Sequence, residues 1–349
     1  MKTQLRRTAF GVGLALMSLY GSAAFADSNV TLYGVIDTFV GSVQTPGAQR
    51  AWAEQGGGLS TSYFGLAGSE DLGNGLKAIF TLESYFQTPN GTYGNFAGDV
   101  FFSRNANMGL TSTRFGTLRL GRLAPNLFVE IVKFNPFENS FNFSPMMLQT
   151  YRSFGTLGVL GATDWNNAVA YMSPSFGGVQ VGGIYSFGNE AGEGGIHKNS
   201  VLATIDRGPF AAAAVYQYVN YNSAAGDIRT ALPAVHGLTS QSVFMVGASY
   251  IVTFVKLYGE YMHTHDDAQS GNVNVDTGQL GFRVPVGVGA VLGSYAYSTS
   301  SSGDRRNTFA VGYDYSVSKR TELYALVKSD HVGGDSTGNS FGVGIRTKF

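Results

Sequence analysis

From residue 29 to the end of the chain, apolar and polar side chains alternate in segment after segment. In 341–349, Phe341, Val343, Ile345 and Phe349 fall on one face, with Gly342, Gly344, Arg346 and Lys348 on the other. In 77–83, Ala78, Phe80 and Leu82 oppose Lys77, Thr81 and Glu83. In 308–317, Phe309, Val311, Tyr313, Tyr315 and Val317 oppose Thr308, Ala310, Gly312, Asp314 and Ser316. A period of two puts successive side chains on opposite faces of a strand, so each segment predicts a strand with one oily and one wet face.

About sixteen such strands are predicted, an even number as a closed antiparallel bacterial barrel requires. They lie near 29–43, 62–71, 76–86, 101–112, 116–123, 167–176, 179–188, 198–208, 210–221, 240–252, 255–266, 273–286, 288–300, 306–318, 321–332 and 339–349. Short connections rich in glycine and asparagine, such as 71–75, 113–116, 176–178, 207–209 and 318–320, alternate with longer polar ones such as 188–197, 222–239 and 266–272. Glycine and asparagine tolerate the positive φ angles of tight hairpins, so the short set reads as periplasmic turns and the long set as extracellular loops.

Composition narrows the setting. Charged residues are 13% of the chain and aromatics another 13%, against about 25% charge in an ordinary soluble domain. A soluble sandwich with one wet face leaves that deficit unexplained. The most apolar stretch after the N-terminus, 243–262, is interrupted by Ser249, Thr253, Lys256 and Glu260. It therefore reads as two strands joined near Thr253 rather than a helical span. A closed barrel is the other structure that pairs every backbone group within lipid.

Residues 1–26 have the form of a cleaved export signal: basic Lys2, Arg6 and Arg7, an apolar stretch over 9–19, and Ala24-Phe25-Ala26 at the cleavage site. Residues 27–349 are then expected to form a single transmembrane barrel domain. Cleavage leaves 20 basic against 23 acidic residues, which gives no electrostatic case for nucleic acid as a partner. With no cysteine in the chain, disulfide scaffolds and thiol chemistry are excluded.

Residues 124–166 break the rhythm. Phe128, Phe134, Phe137, Phe141, Phe143, Phe154 and Trp165 are too many aromatics for a segment that stays solvated. Such a connection buries itself against the inner wall or an adjoining subunit, and folded inward it narrows the channel.

The chain resembles the trimeric general-diffusion porins of the Gram-negative outer membrane, most of all those of β-proteobacteria. The resemblance is carried by Val30-Thr31-Leu32-Tyr33-Gly34-Val35-Ile36-Asp37, by Phe64-Gly65-Leu66 with Gly68-Ser69-Glu70-Asp71-Leu72-Gly73 and Gly75-Leu76-Lys77-Ala78, and by Gly116-Thr117-Leu118-Arg119-Leu120-Gly121-Arg122. It continues through Ser318-Lys319-Arg320-Thr321-Glu322-Leu323-Tyr324-Ala325 to the terminal Phe349. It implies an all-β, 16-stranded closed antiparallel barrel, three per assembly, whose long third extracellular loop folds inward as an eyelet. It also implies outer-membrane lipid and lipopolysaccharide around the barrel, and Phe349 as the signal read by the barrel-assembly machinery.

In such porins acidic loop residues face basic wall residues across the constriction. Glu130 and Glu138 are the loop candidates; Lys77, Arg104, Arg119 and Arg122 are the wall candidates, with Asp37 pointing inward from the first strand. The parity of Lys77 and Arg119 points to water. Arg104 and Arg122 share parity with lipid-facing neighbours, so either they lie at strand ends in the headgroup zone or a bulge turns them inward. Where related porins usually carry arginines on the second and sixth strand candidates, this chain has Tyr63, Ala67 and Ala170. Loss of fixed positive charge predicts weak rather than pronounced anion selectivity.

Other functions are poorly supported. His263-Thr264-His265-Asp266-Asp267 is the strongest metal-like cluster, but no third ligand or glutamate base is marked, so no metal is expected. His197, His236, His263, His265 and His331 fall in loops or at strand ends with no serine-hydrolase motif. Glycine clusters such as Gly73-Asn74-Gly75 open no helix and cradle no phosphate, so no cofactor is expected. The expected function is non-enzymatic, passive and weakly selective diffusion of ions and small hydrophilic solutes. A channel specific for a sugar or organic anion is the alternative.

Overall fold

The computed structural model describes residues 29–349 apart from 97, 153, 155–157, 160–162, 189–196, 221–237 and 269–270. The export signal expected at 1–26, and most of the polar connection at 222–239, lie outside the described residues.

Strands dominate: β1 (Asn29–Val43), β2 (Ala51–Gly56), β3 (Tyr63–Gly73), β4 (Leu76–Tyr85), β5 (Asn105–Ser112), β6 (Gly116–Leu123), β7 (Trp165–Met172), β8 (Val179–Phe187), β9 (His197–Arg207), β10 (Phe210–Asn220), β11 (Leu238–Val252), β12 (Val255–Ala268), β13 (Val273–Val286), β14 (Gly289–Ser300), β15 (Arg305–Ser316), β16 (Thr321–Val332) and β17 (Gly338–Lys348). Two short helices, α1 (Asn126–Lys133) and α2 (Pro145–Tyr151), stand between β6 and β7. Each strand pairs antiparallel with its neighbour, and β1 pairs with β17 to close the sheet on itself. Gly34 and Phe349 exchange two backbone hydrogen bonds of 3.1 Å, which carry the seam to the final residue.

The seventeen strand segments make sixteen staves. Both β2 and β3 pair with β1, β3 along its first half and β2 along its second. Thr38 is opposite Gly56 and Val35 is opposite Tyr63, so residues 57–62 stand against only Ile36 and Asp37 and arch out of the sheet. The alternation predicted β3 but not β2, because Ala51-Trp52-Ala53-Glu54-Gln55-Gly56 is short and carries one large apolar side chain, too little for a period of two. Two other edges also moved: β5 begins at Asn105 rather than near 101, and β7 runs over Trp165–Met172 rather than 167–176.

Facing follows parity. Val30, Leu32, Ile36 and Val40 of β1, Leu323 and Val327 of β16, and Phe341, Val343 and Ile345 of β17 are exposed on the outer wall. Thr308, Ala310 and Asp314 of β15 point inward and are buried, while Phe309, Tyr315 and Val317 are exposed. Rings gather near both ends of the outer wall: Phe210, Tyr250 and Tyr315 near the short turns, and Trp52, Phe187 and Tyr297 near the long connections. Amphipathic rings at these levels suit the two membrane–water interfaces. The β3–β4 turn takes positive φ at Gly73, Asn74 and Gly75, as its residue types anticipated. Likewise β11 and β12 meet at Thr253, with φ of 57°, where the sequence placed a strand junction inside an apolar stretch.

The inner wall is not uniformly polar. Leu202, Val215, Val243, Met245 and Met262 point inward from β9 to β12, and Leu127, Phe128 and Ile131 of α1 cover them, together with Phe134, Met146 and Met147. A second cluster gathers Phe137 and Phe143 of the same connection with Phe39, Leu59, Leu292, Tyr324 and Leu326. The connection between β6 and β7 therefore lies inside the barrel, and its aromatics are what hold it there. A Phe143→Ala change removes a fully buried ring and is expected to weaken this packing by about 3–5 kcal/mol.

An arginine facing hydrocarbon at mid-depth costs about 2–4 kcal/mol. Leu280, at the middle of β13 and 73% exposed, supplies the test of facing. Leu280→Arg is expected to lower the folding free energy in lipid vesicles by that amount, read as the fall in urea midpoint multiplied by the m-value. An unchanged midpoint contradicts the outward placement.

Candidate functional site

The connection between β6 and β7 packs its helices against β9 to β11 and β13 to β15, and the candidate charges stand on it and around the wall from β3 to β6. Residue types set the local shape of that connection. α1 presents Leu127, Phe128 and Ile131 along one stripe, spaced as a helix face requires. α2 starts at Ser144, whose Oγ accepts from Met147 N at 3.3 Å, with Pro145 in the first turn. Gln149 of α2 then reaches the far wall: its Nε2 donates to Ala296 O (2.8 Å) and Thr308 Oγ1 (2.9 Å), and its Oε1 accepts from Ser298 Oγ (2.5 Å). Between the helices, the turn at 135–143 carries Glu138 with φ of 48°.

Each candidate charge has a definite place. Glu138 Oε2 accepts from Arg346 Nη1 at 3.0 Å, and Arg346 of β17 also holds Glu322 at 2.5 Å. The loop acid is thus bonded directly to a wall arginine that the sequence did not single out. A contact spanning 208 residues leaves no local signal. Glu130 lies on α1, buried, with Lys133 Nζ at 4.0 Å. Asp37 is fully buried beneath the 57–62 arch rather than open to the lumen.

On the wall of β4 to β6, Arg119 of β6 donates to Asn107 Oδ1 (2.7 Å) and Thr81 Oγ1 (3.3 Å), both neutral. Arg104 stands just before β5, pairs with Glu83 and lies over the Tyr63 ring at 4.1 Å. Tyr33 Oη donates to the same Glu83 at 2.6 Å. Arg122 adjoins the register shift between Gly121 and Leu123 and donates to Ser103 O and Asn166 Oδ1. Both arginines that parity left undecided are therefore held at irregular backbone. Lys77 is exposed opposite Asp71, beside the β3–β4 turn and away from the inner connection. The structure gathers Arg104, just before β5, with Arg119 and Arg122 of β6, seats Glu138 on Arg346 of β17, and leaves Lys77 at the rim.

Tyr63, Ala67 and Ala170 take inward positions, in register with Tyr85, Thr81 and Arg119 respectively. His263 and His265 share the outward face of β12. There His263 Nδ1 meets Asp276 Oδ1 at 2.8 Å, and His265 meets Asn274 and Asp267. Among the described residues no group of three or more His, Cys, Asp or Glu is arranged as a metal centre.

Two loop carboxyls are pushed up by burial. Asp164, next to β7, is raised to about 7 by burial, which Arg122, Thr163 and Arg104 only partly offset. Burial likewise raises Glu130 above the ordinary 4.5, with Lys133 opposing weakly. A carboxyl whose folded value lies above its unfolded one stabilises the packed state at low pH and loses that contribution as pH rises through the folded value. Packing of α1 on the wall is therefore expected to weaken above the ordinary carboxylate range. Amide exchange of α1 in detergent, corrected for the intrinsic pH effect, is expected to quicken with pH in the wild type and to flatten in Glu130→Gln. Equal slopes contradict the assignment.

Comparison with known proteins accords with this geometry. The family model described as Gram-negative porin matches residues 13–335. An outer membrane porin protein of Bordetella pertussis is 31% identical over 399 residues, covering 96% of this chain and 98% of that one. An outer membrane porin protein of Delftia acidovorans is 32% identical over 339 residues, covering 90% and 86%. Among solved structures, the anion-selective porin from Comamonas acidovorans matches with a TM-score of 0.78 and 26% identity, covering 93% of this chain and 100% of that one. Salmonella typhi OmpF shares the fold, with a TM-score of 0.66 at 13% identity. A closed antiparallel barrel, greasy outside and charged within, matched to porins over almost its whole length, identifies this chain as a member of the Gram-negative porin family, crossing the outer membrane many times.

Proposed function

We propose that the chain conducts ions and small hydrophilic solutes passively, with weak selectivity, through a water-filled lumen narrowed by the connection between β6 and β7. The observation that carries this reading is the attachment of that connection to the far wall through Gln149 and Glu138. A segment anchored there stands inside the bore and limits what passes. No catalytic step is invoked; solutes move down their own gradients.

Weak selectivity follows from how the charges are paired. Arg104 is offset by Glu83, Arg283 by Asp314, Arg306 by Asp330, and Arg346 by both Glu138 and Glu322. Arg119 is held by neutral groups, while Tyr63, Ala67 and Ala170 add no positive charge to the inner face. The related porin from Comamonas acidovorans is anion-selective by name; here the compensated wall supports a milder preference. A homotrimer in lipid and lipopolysaccharide, assembled through recognition of Phe349 by the barrel-assembly machinery, completes the proposal.

In a tenfold chloride gradient the reversal potential is expected to fall well short of the roughly 59 mV of an ideally selective pore for a monovalent ion. A value near that limit overturns weak selectivity. Liposome swelling is expected to slow smoothly with solute size, without stereochemical preference. Saturation by one sugar favours the specific-channel alternative, for which Tyr33 and Tyr63, packed edge to face at 6.3 Å beside Arg104, offer the stacking surface.

Asp164 adds a pH dependence. Above about 7 its charge offsets the nearby Arg122 and Arg104, and below it the carboxyl is neutral. The reversal potential is expected to move towards chloride as pH falls through this range, and the step is expected to vanish in Asp164→Asn. A step that persists in the variant assigns it elsewhere.

A further inference from the structure

Asp37 was a candidate for the pore wall, yet its carboxylate faces protein on every side. Its Oδ1 accepts from Gly58 N at 3.0 Å and from the Tyr324 hydroxyl, and its Oδ2 accepts from Leu59 N at 2.9 Å and Ser60 N at 2.8 Å. The backbone of the same residue binds the arch as well. Asp37 O accepts from Gly57 N and Ser62 Oγ, both at 3.1 Å, and Asp37 N donates to Ser62 Oγ at 2.9 Å. One residue thus ties down most of the arch at 57–62. Three converging N–H groups form a cradle whose stability depends on a full negative charge at its centre.

The far side of the arch holds the inner connection. Ser140 Oγ donates to Gly58 O at 2.7 Å, with Gly57 O at 3.1 Å. Asn142 Nδ2 donates to Gly56 O and Gly57 O at 3.0 and 3.2 Å. Leu59 packs with Phe137 and Phe143. Gly58 permits the approach, because a Cβ there would lie 2.1 Å from the Tyr324 hydroxyl. A continuous chain of contacts therefore runs from Asp37 through the arch to the turn that carries Glu138.

We propose that Asp37 is the positioning residue of the constriction: through the arch it latches the turn at 135–143 and so sets how far that turn stands into the lumen. The proposal rests on the reading that this connection narrows the pore. Its chemistry distinguishes carboxylate from amide. In Asp37→Asn, whichever way the amide turns, its NH2 group meets a backbone donor: Leu59 N and Ser60 N in one orientation, Gly58 N in the other, where the Tyr324 hydroxyl must also turn to Thr38 O. Loss of charge-assisted bonds of this kind raises the population of the released turn by about tenfold or more.

The test is single-channel recording in planar bilayers, on protein whose heat-modifiable gel mobility shows a folded barrel. Asp37→Asn is expected to give noisier open-channel current and an altered mean conductance, with the folded band retained. The Ser140→Ala/Asn142→Ala pair is expected to reproduce the effect, and adding Asp37→Asn to that pair is expected to add little, because both cut one latch. Wild-type conductance and noise in a folded Asp37→Asn barrel overturn the proposal, as do fully additive effects. Should Asp37→Asn fail to reach the folded band, the same readings on Tyr324→Phe decide. Deleting residues 136–143 separates two failures. Unchanged conductance there overturns the constriction and the latch together, whereas a changed conductance with an inert Asp37→Asn overturns the latch alone.

Discussion

Edge closure is the constraint on which everything else in this molecule depends. In hydrocarbon an unpaired backbone N–H or C=O has no water to turn to, so a sheet can cross only if it has no edge. The pairing of β1 with β17, extended by the two bonds between Gly34 and Phe349, removes the last edge. Once closed, the alternation of side chains has one consistent reading: the continuously apolar face of each strand takes the lipid and the mixed face takes the interior. The lumen is a consequence of that requirement rather than a separate feature.

A barrel of sixteen staves leaves more interior than wall side chains fill. The connection between β6 and β7 occupies part of it, and the wall beneath is apolar where α1 lies and polar where α2 and the turn make hydrogen bonds. Burial of Phe134, Phe137 and Phe143, each with no exposed surface, supplies the attraction. Gln149, Asn142, Ser140 and Glu138 supply direction. Attraction without direction would leave the segment collapsed somewhere on the wall; the hydrogen bonds specify where.

Most of the barrel was legible because period-two patterning is local: β11 and β12, or β15 and β16, can be read from a dozen residues each. The arch was not, since the glycines and serines over 56–62 carry no face to read, and neither was β2, whose six residues carry one large apolar side chain, Trp52. The helices were also hidden, because α1 and α2 are too short to be stable alone and owe their form to the wall they cover. Among the site residues, the inward parity of Arg119 was available from sequence. The pairing of Glu138 with Arg346 was not, because it joins residues brought together only when the cylinder closes. Asp37 shows the limit of parity most clearly: its inward direction is correct, but the acceptor role of its carboxylate beneath the arch depends on the backbone N–H groups of Gly58, Leu59 and Ser60, which no side-chain pattern announces.

The central claim is that a water-filled bore is narrowed from within by the connection between β6 and β7. Single-channel current measured with neutral polymers of graded size tests it most directly. The account predicts ohmic steps that small polymers reduce and larger ones leave untouched, with the cut-off well below the width of an empty sixteen-stave barrel. Insertion without ohmic steps, or admission of polymers as wide as the bare barrel, would contradict it.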